Sequence, residues 1–526
     1  MNKKYLSIGL GLVIVAIIIA LLSQSTSGVY SSSKVSGLPE TKIAETVELK
    51  NGDTYTLTAG FVKKEIGNQT YKMLAYNGSI PGPIIKVAQG AEIIINFKND
   101  TDVETTVHSH GVRLDNAYDG VPGITQKPVK PGETFTYKIK FPDAGMYWYH
   151  PHVREDYQQE LGLYGNYLIE PDSAKYWNPV NREVPLFLDD ILIENGRIPL
   201  SKTAADHTLM GRYGNVMLVN GESDYSLAVK KGEVVRFYLT NGANARPFNF
   251  TIQGTKLKLV GGDSGAYEKD QWVDTVTLGP SERAEIEALF NEAGSYEIQN
   301  KTPKGTDKLG MITVSGPPVT PSYAASFATL QRHEDVVKSI DPFRSYFNKG
   351  LDKKLQLAVT MSGGPAQMQM SMGGGHMMPD GTRMGGSMMG NVSPDGIEWD
   401  DANKFQGSIS NTDNVQWFIT DEGTGKRNMD ISWTFKRDVP VKIRIENPAN
   451  SMHPMQHPIH FHGQRFLVLD RNGVPQTNLV WKDTVLVPAG QYVDILLNPS
   501  NPGMWMAHCH IAEHLEDGMM FMFAVQ

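Results

Sequence analysis

Cysteine is almost missing from this 526-residue chain, which has only Cys509. No internal disulfide can form, so stability must come from packed cores, and the single thiol is left for chemistry. Basic clusters are absent too: 49 Lys and Arg stand against 57 Asp and Glu, scattered for a net charge of -8, which excludes a nucleic-acid-binding surface. Long amphipathic helical patterns do not occur. With 51 Gly, 30 Pro and 20% charged residues, the composition suits a turn-rich β protein better than a bundle or a disordered chain. The one long apolar run, Leu6 to Leu22, follows Met1-Asn2-Lys3-Lys4 and leads into a Ser/Thr/Gly stretch ending at Gly37. Residues 1–37 therefore read as an export segment. The run fits cleavage near Ser25 or Ser27 as well as a retained anchor, so membrane attachment stays open. No cysteine follows it and no twin arginine precedes it, which points to ordinary secretion and an extracytoplasmic location: periplasmic, cell-surface or secreted.

A chain of this length needs several domains. Alternating apolar and polar runs such as Glu92 to Phe97, Val234 to Leu239 and Val441 to Ile445 predict strands, and several β-sandwiches in series are the expected architecture. An internal repeat supports this. Gly90 is followed nine residues later by Asn99, Gly232 by Asn241 and, in a weaker copy, Asp438 by Asn447. A second marker recurs downstream as Ala144-Gly145-Met146-Tyr147, Ala293-Gly294-Ser295-Tyr296 and Pro502-Gly503-Met504-Trp505. Three homologous units follow, over 45–175, 182–316 and 340–526. The interval between the last two markers is about 60 residues longer than between the first two. The insert is placed at 361–391, where nine of 23 methionines sit among Gly, Ser, Gln and Pro, a composition that builds no core.

Five residues after the marker glycine, unit one has His150-Pro151-His152 and unit three His508-Cys509-His510, whereas unit two has Gln299-Asn300-Lys301. Upstream, His457-Pro458-Ile459-His460-Phe461-His462 lines up with Arg246-Pro247-Phe248-Asn249-Phe250-Thr251 in unit two, and unit one has His108-Ser109-His110-Gly111. Metal is therefore expected between units one and three, with unit two as spacer. Residues i and i+2 of a strand face the same way, so four His-x-His pairs offer eight imidazoles to one place. Imidazoles alone do not name the metal. Cys509 does, because it faces away from His508 and His510, toward His457, His514 and Met519. Thiolate, two imidazoles and thioether describe a blue-copper electron-transfer site, joined by one short piece of backbone to the histidine cluster. A lone histidine in a β protein is ordinarily a surface or hydrogen-bonded residue, and His207, His333 and His376 are read so. Zinc has no use for a cysteine and methionine wired to a second cluster. His453 competes with His457, but only His457 keeps the spacing to His460 and His462.

These motifs resemble those of the three-domain multicopper oxidases, over about residues 45 to 526. Asn77-Gly78, Pro81-Gly82-Pro83 and Gly162-Leu163-Tyr164-Gly165 resemble first-domain signatures of that family. The resemblance implies an all-β chain of three cupredoxin-like Greek-key sandwiches and four copper ions: type 1 on His457, Cys509, His514 and axial Met519; type 2 on His108 and His460; and a binuclear type 3 pair on His110, His150, His152, His462, His508 and His510. It implies an oxidoreductase passing four single electrons from a donor to O2, which becomes two waters. Asp119 matches the family's acidic residue near the trinuclear site, although Asp-Gly is also an ordinary turn. A second carboxylate is expected directly after the type 1 histidine, where this chain has Leu515; Glu513 and Glu516 are the nearby substitutes.

The methionine insert, with Met361, Met368, Met370, Met372, Met377, Met378, Met384, Met388 and Met389, is similar to the loop over the type 1 site in cuprous oxidases. Thioethers are soft and select Cu(I); the alternative is a low-complexity linker. Three functions stay in view: oxidation of Cu(I) in copper detoxification with laccase-like side activity; a laccase of phenols, aromatic amines or other metal ions; and a non-enzymatic copper store, which has no use for a cysteine wired to paired histidines. A monomer is expected.

Overall fold

The computed structural model describes residues 30–361, 376–377, 383–384, 393–401 and 410–526. The N-terminal apolar run and most of the methionine insert lie outside the described residues. Strands make up about 48% of the chain and helices 7%. The all-β expectation holds, in three cupredoxin-like sandwiches.

Each sandwich carries one sheet with the same strand order, in sequence-repeat register. In the first unit Ile84–Ala88, Gly165–Glu170, Gly145–His150 and His108–His110 lie side by side; in the second Tyr225–Lys230, Gly305–Ser315, Gly294–Thr302 and Phe248–Ile252; in the third Ser432–Phe435, Met520–Val525, Gly503–Cys509 and His457–Phe461. In all three the first two strands pair parallel and the rest antiparallel. The recurring parallel pair forces a crossover connection rather than a plain meander, as a Greek key requires.

The sequence markers have physical roles. Gly145, Gly294 and Gly503 each open the third of these strands with φ of 134°, 151° and 142°, a region open to essentially no other residue. The repeated asparagines end a strand of the opposite sheet and tie two loops together. Asn99 donates its side-chain amide to the carbonyls of Val103 and Val129 at 2.8 Å each, Asn241 to those of Arg246 and Leu278 at 2.9 Å each, and Asn447 to those of Met455 and Val487 at 2.6 and 3.0 Å. All three are buried. Only a side chain with two donors on one nitrogen satisfies both carbonyls, which explains why this position recurs.

Burial shows how the units pack. Val441–Asn447 alternates, with Val441, Ile443, Ile445 and Asn447 buried between half-exposed Lys442, Arg444 and Glu446. Its counterpart in the middle unit, Glu233–Asn241, is buried at every position. There the outward face is covered as well: Tyr238 packs with Met146 and Leu168 of the first unit. The middle unit is thus buried on both faces of its central strand.

Replacing Asn241 by alanine leaves two buried carbonyls and the amide of Ala243, now held at 3.0 Å, without partners. We expect Asn241→Ala to lower the stability of the copper-free protein by about 3 kcal/mol, read from the midpoint of urea unfolding. An unchanged midpoint would refute the assigned role.

Candidate metal centre

Two strand pairs face each other across the seam between the first and third units. In one, His108 sits opposite His150; in the other, His460 sits opposite His508. His110, His152, His462 and His510 follow two residues on, pointing the same way. The rings interleave, His110 stacking on His460 with centroids 3.7 Å apart and His108 on His462 at 4.1 Å. All eight are at most 6% exposed. Their nitrogens gather into three sets, each within 4.8 Å: His108, His110 and His460; His110, His150 and His510; His152, His462 and His508.

Most of these rings hold one nitrogen on the protein and leave the other free. The Nδ1 atoms of His108 and His460 face the main-chain carbonyls of Asp119 and Asp483 at 2.7 and 2.9 Å. Those of His150 and His508 face the carbonyls of the residues that follow them, Pro151 and Cys509, at 2.8 and 2.9 Å. The same partners therefore serve equivalent positions of both units. The opposite nitrogens, Nε2 of His108, His150, His152 and His460, Nδ1 of His110, and both of His510, are buried without partner. His462 and His508 bring their Nε2 atoms to 3.0 Å of each other. Buried polar atoms are ordinarily paired, so this convergence of partnerless ring nitrogens fits a metal and little else. Burial, reinforced by neighbouring rings, lowers His150, His152, His462, His508 and His510 well below the ordinary imidazole range, and does the same for His110 against the pull of Asp483. Neutral imidazole is the ligand form.

Cys509 faces the other way, into the core of the third unit. Its Sγ lies 3.5 Å from Nδ1 of His457 and 3.6 Å from Nδ1 of His514. These spacings suit an ion lying roughly 2.0–2.3 Å from each donor, the usual imidazole and thiolate range. Trp417 stacks on His514 at 4.2 Å and meets His457 edge-on at 4.7 Å, fixing both rings. Met519 is fully buried in the same core cluster as Cys509, and its carbonyl accepts from the Cys509 amide at 3.0 Å. Burial pushes the thiol up and lowers His457 to about 3.

The carboxylates expected nearby separate. Asp119 reaches the cluster: its Oδ2 meets Nδ1 of His462 at 2.9 Å. Gly120 permits this, since a Cβ there would meet the Val107 carbonyl at 2.2 Å. Glu513 is buried, accepts from Asn244 at 3.1 Å, and is raised to about 7 by burial. Glu516, also raised by burial, to about 8, accepts from the Glu155 amide at 3.1 Å. Glu155, which no motif announced, stands between Glu516 and the rings, 3.4 Å from Nδ1 of His152. Leu515 packs with Val121 and Met506. The larger omission is Asp483: its Oδ1 faces Nε2 of His110 at 3.1 Å, mirroring Asp119, and Arg283 of the middle unit clamps it at 2.7 Å. Burial alone would raise this carboxyl, but Arg283 and the hydrogen bonds from it and the two rings hold it well below the usual range.

Other histidines are elsewhere engaged: His207 with Asp206 at 2.9 Å, His333 with Asp270 at 2.9 Å, and His453 with Glu398 at 3.6 Å. One alignment is corrected. Thr251 pairs with Gln299 as His460 does with His508, and the Gln253 amide bonds the Glu297 carbonyl as that of His462 bonds Met506. Thr251 and Gln253, rather than Asn249 and Thr251, thus replace the histidines in unit two. Aligning the prolines misled by two residues because the loop entering that strand is shorter there. Of the methionines, Met361 packs against the core cluster containing Cys509 and Met519. His376–Met377 pairs antiparallel with Arg383–Met384. Met368, Met370, Met372, Met378, Met388 and Met389 lie outside the described residues.

Comparison with known proteins agrees with this geometry. Profiles described as multicopper oxidase match residues 61–174, 180–315 and 397–526, and the chain belongs to the multicopper oxidase family. It is 26% identical over 488 residues to the multicopper oxidase mco of Staphylococcus aureus, covering 91% of this chain and 90% of that one. Laccase-1 of Botryotinia fuckeliana is 28% identical over 86% of this chain and 78% of its own. Among solved structures, the multicopper oxidase of Campylobacter jejuni superposes with a TM-score of 0.67 at 22% identity, over 95% of this chain and all of that one. The chain is therefore a copper-dependent oxidoreductase using O2.

The buried, electropositive-free setting of Cys509 makes the copper-free thiol inert. We expect no labelling by iodoacetamide in the folded copper-free protein and one label per chain after unfolding; stoichiometric labelling of the folded form would contradict the burial.

Proposed function

We propose that His457, Cys509, His514 and Met519 hold a type 1 copper, His108 and His460 a type 2 copper, and His110, His150, His152, His462, His508 and His510 a type 3 pair, four coppers in all. The observation that carries this is the convergence of partnerless nitrogens at the seam, beside a thiolate–imidazole site on the same stretch of backbone. Bound copper supplies one-electron chemistry at the sulfur site and a site where O2 takes up four electrons. The chain's own residues do the rest. Cys509 lies between two cluster ligands, so the covalent path from sulfur to His508 or His510 is a few bonds of main chain. Asp119, hydrogen-bonded to His462 through Oδ2, with its Oδ1 3.3 Å from Nδ1 of His108 and making no hydrogen bond, is placed to hold a proton beside the cluster. Buried Glu155, 3.4 Å from Nδ1 of His152, with half-buried Glu516 bonded to its amide and buried Glu513 nearby in sequence, stand in place of the carboxylate that Leu515 lacks.

The donor we infer is Cu(I), oxidised outside the cytoplasm by a monomeric, exported protein as a defence against copper, with laccase-like activity alongside. The methionine-rich composition of 361–391 supports it, as does Met361, which brings the start of that segment against the core of the sulfur site. The Campylobacter relative is described as a metallo-oxidase. A laccase acting on phenols is the second reading, favoured by the laccase relatives and by an Ochrobactrum relative described as active on lignin model compounds.

Oxygen uptake by the copper-loaded protein, with Cu(I) or a phenol as donor, tests both. We expect deletion of 361–391 to lower kcat/KM for Cu(I) at least tenfold while sparing phenol oxidation; unchanged Cu(I) oxidation would remove the role given to the insert. Cys509→Ser is expected to abolish the blue colour and nearly all oxygen consumption with either donor, and full activity in that variant would overturn the electron-entry assignment.

A further inference from the structure

We propose that Arg283, carried by the unit without histidine ligands, is a positioning residue for the cluster: through Asp483 it holds His110 with Nε2 protonated and Nδ1 turned toward the metal. The inference rests on the copper reading given above.

Arg283 opens the strand Arg283–Phe290 of the middle unit and is buried. A guanidinium has five N–H donors in a rigid fork, and here every one is used. Nε donates to the Met146 carbonyl of the first unit at 3.1 Å. Nη1 donates to the Ser281 carbonyl at 2.9 Å and to Oδ1 of Asp483, in the third unit, at 2.7 Å. Nη2 donates to the Asp263 carbonyl at 3.0 Å and to Oδ2 of Asp483. One side chain thus joins all three units, with the geometry only arginine offers.

Asp483 passes that fixity on. An ionised carboxylate only accepts hydrogen bonds, so the ring nitrogen 3.1 Å from its Oδ1, Nε2 of His110, must carry the proton. Thr484 Oγ1, 3.1 Å from the same nitrogen, donates its own proton to Asp483 at 2.9 Å and so also accepts from the ring. His110 is left with a bare Nδ1, buried and without partner. The second partner of a ligating histidine sets which nitrogen binds. Gly111 is part of the device: a Cβ there would lie 2.3 Å from Oδ2 of Asp483 and 2.7 Å from Nη2 of Arg283. Asp119 faces His462 in the mirror position, but no arginine clamps it, and its Oδ1 makes no hydrogen bond, lying 3.3 Å from Nδ1 of His108. The two aspartates are alike in place and different in task.

The test uses full-length protein loaded with copper, reading copper bound per chain, the blue absorbance of the Cys509 site and the melting of the copper-free form. In Arg283→Met and Asp483→Ala we expect the blue band to persist while a chelator withdraws the cluster copper at tenfold to hundredfold lower concentration than in the parent. Arg283→Lys should fall between, since one ammonium cannot span both carboxylate oxygens. Cluster copper held as tightly as in the parent would overturn the proposal. So would loss of both sites in step with a lowered melting point, which would make Arg283 a staple between units. If Arg283→Met does not fold, Arg283→Lys decides by the same readings. A parent chain that binds copper only at Cys509 would bring down the cluster reading itself, and this inference with it.

Discussion

Eight imidazoles are buried together at one seam, and the rest of the structure answers to the need to keep them there neutral and correctly turned. A ring held through one nitrogen keeps the other aimed at a ligand, and most of these rings are held so, although neither nitrogen of His510 is bonded. The repeat supplies those partners in duplicate. Main-chain carbonyls of Asp119 and Asp483 serve His108 and His460, and the carbonyls after His150 and His508 serve those rings. The two aspartates then cross the seam, Asp119 reaching His462 and Asp483 reaching His110. Each unit therefore orients a ring of the other, which requires the two units to be held in fixed relation.

The middle unit provides that relation. Its central strand is buried on both faces, its Tyr238 packs on the first unit, its Asn244 bonds Glu513 of the third, and its Arg283 bonds both. A spacer that merely separated two domains would show the alternating burial seen in Val441–Asn447. With Thr251, Gln253, Gln299 and Lys301 where the third unit has histidines, the unit is better understood as the frame of a site it does not ligate.

Much of this was legible in the chain because strand geometry turns spacing into direction. His-x-His at repeat-equivalent positions gave the rings their direction, whereas the marker glycines and recurring asparagines were legible only as a repeat, and it is the structure that gives Gly145, Gly294 and Gly503 and Asn99, Asn241 and Asn447 their common roles. What stayed hidden are partners joined by folding rather than by spacing. Asp483 is 373 residues from His110, Arg283 is 200 from Asp483, and neither lies in a motif. Glu155 is near its histidine in sequence, yet Arg154-Glu155-Asp156 reads as an ordinary charged turn. The two-residue misalignment of the middle unit has the same origin: identical prolines are a weaker guide than the hydrogen-bond register.

The placement of Cys509 adds a last constraint. It pairs across from Ile459 in the strand that carries His508, so its sulfur is in the core of the third unit while the rings beside it are in the seam. Neither site can shift without dragging the other, because they are opposite faces of the same strand end. Rigidity on the sulfur side, from Trp417 against His457 and His514, is thereby transmitted to His508 and His510, and the clamp of Arg283 on Asp483 restrains the cluster from the far side. Met361, packed against the core that holds Cys509 and Met519, leads out of this fixed arrangement rather than into the seam.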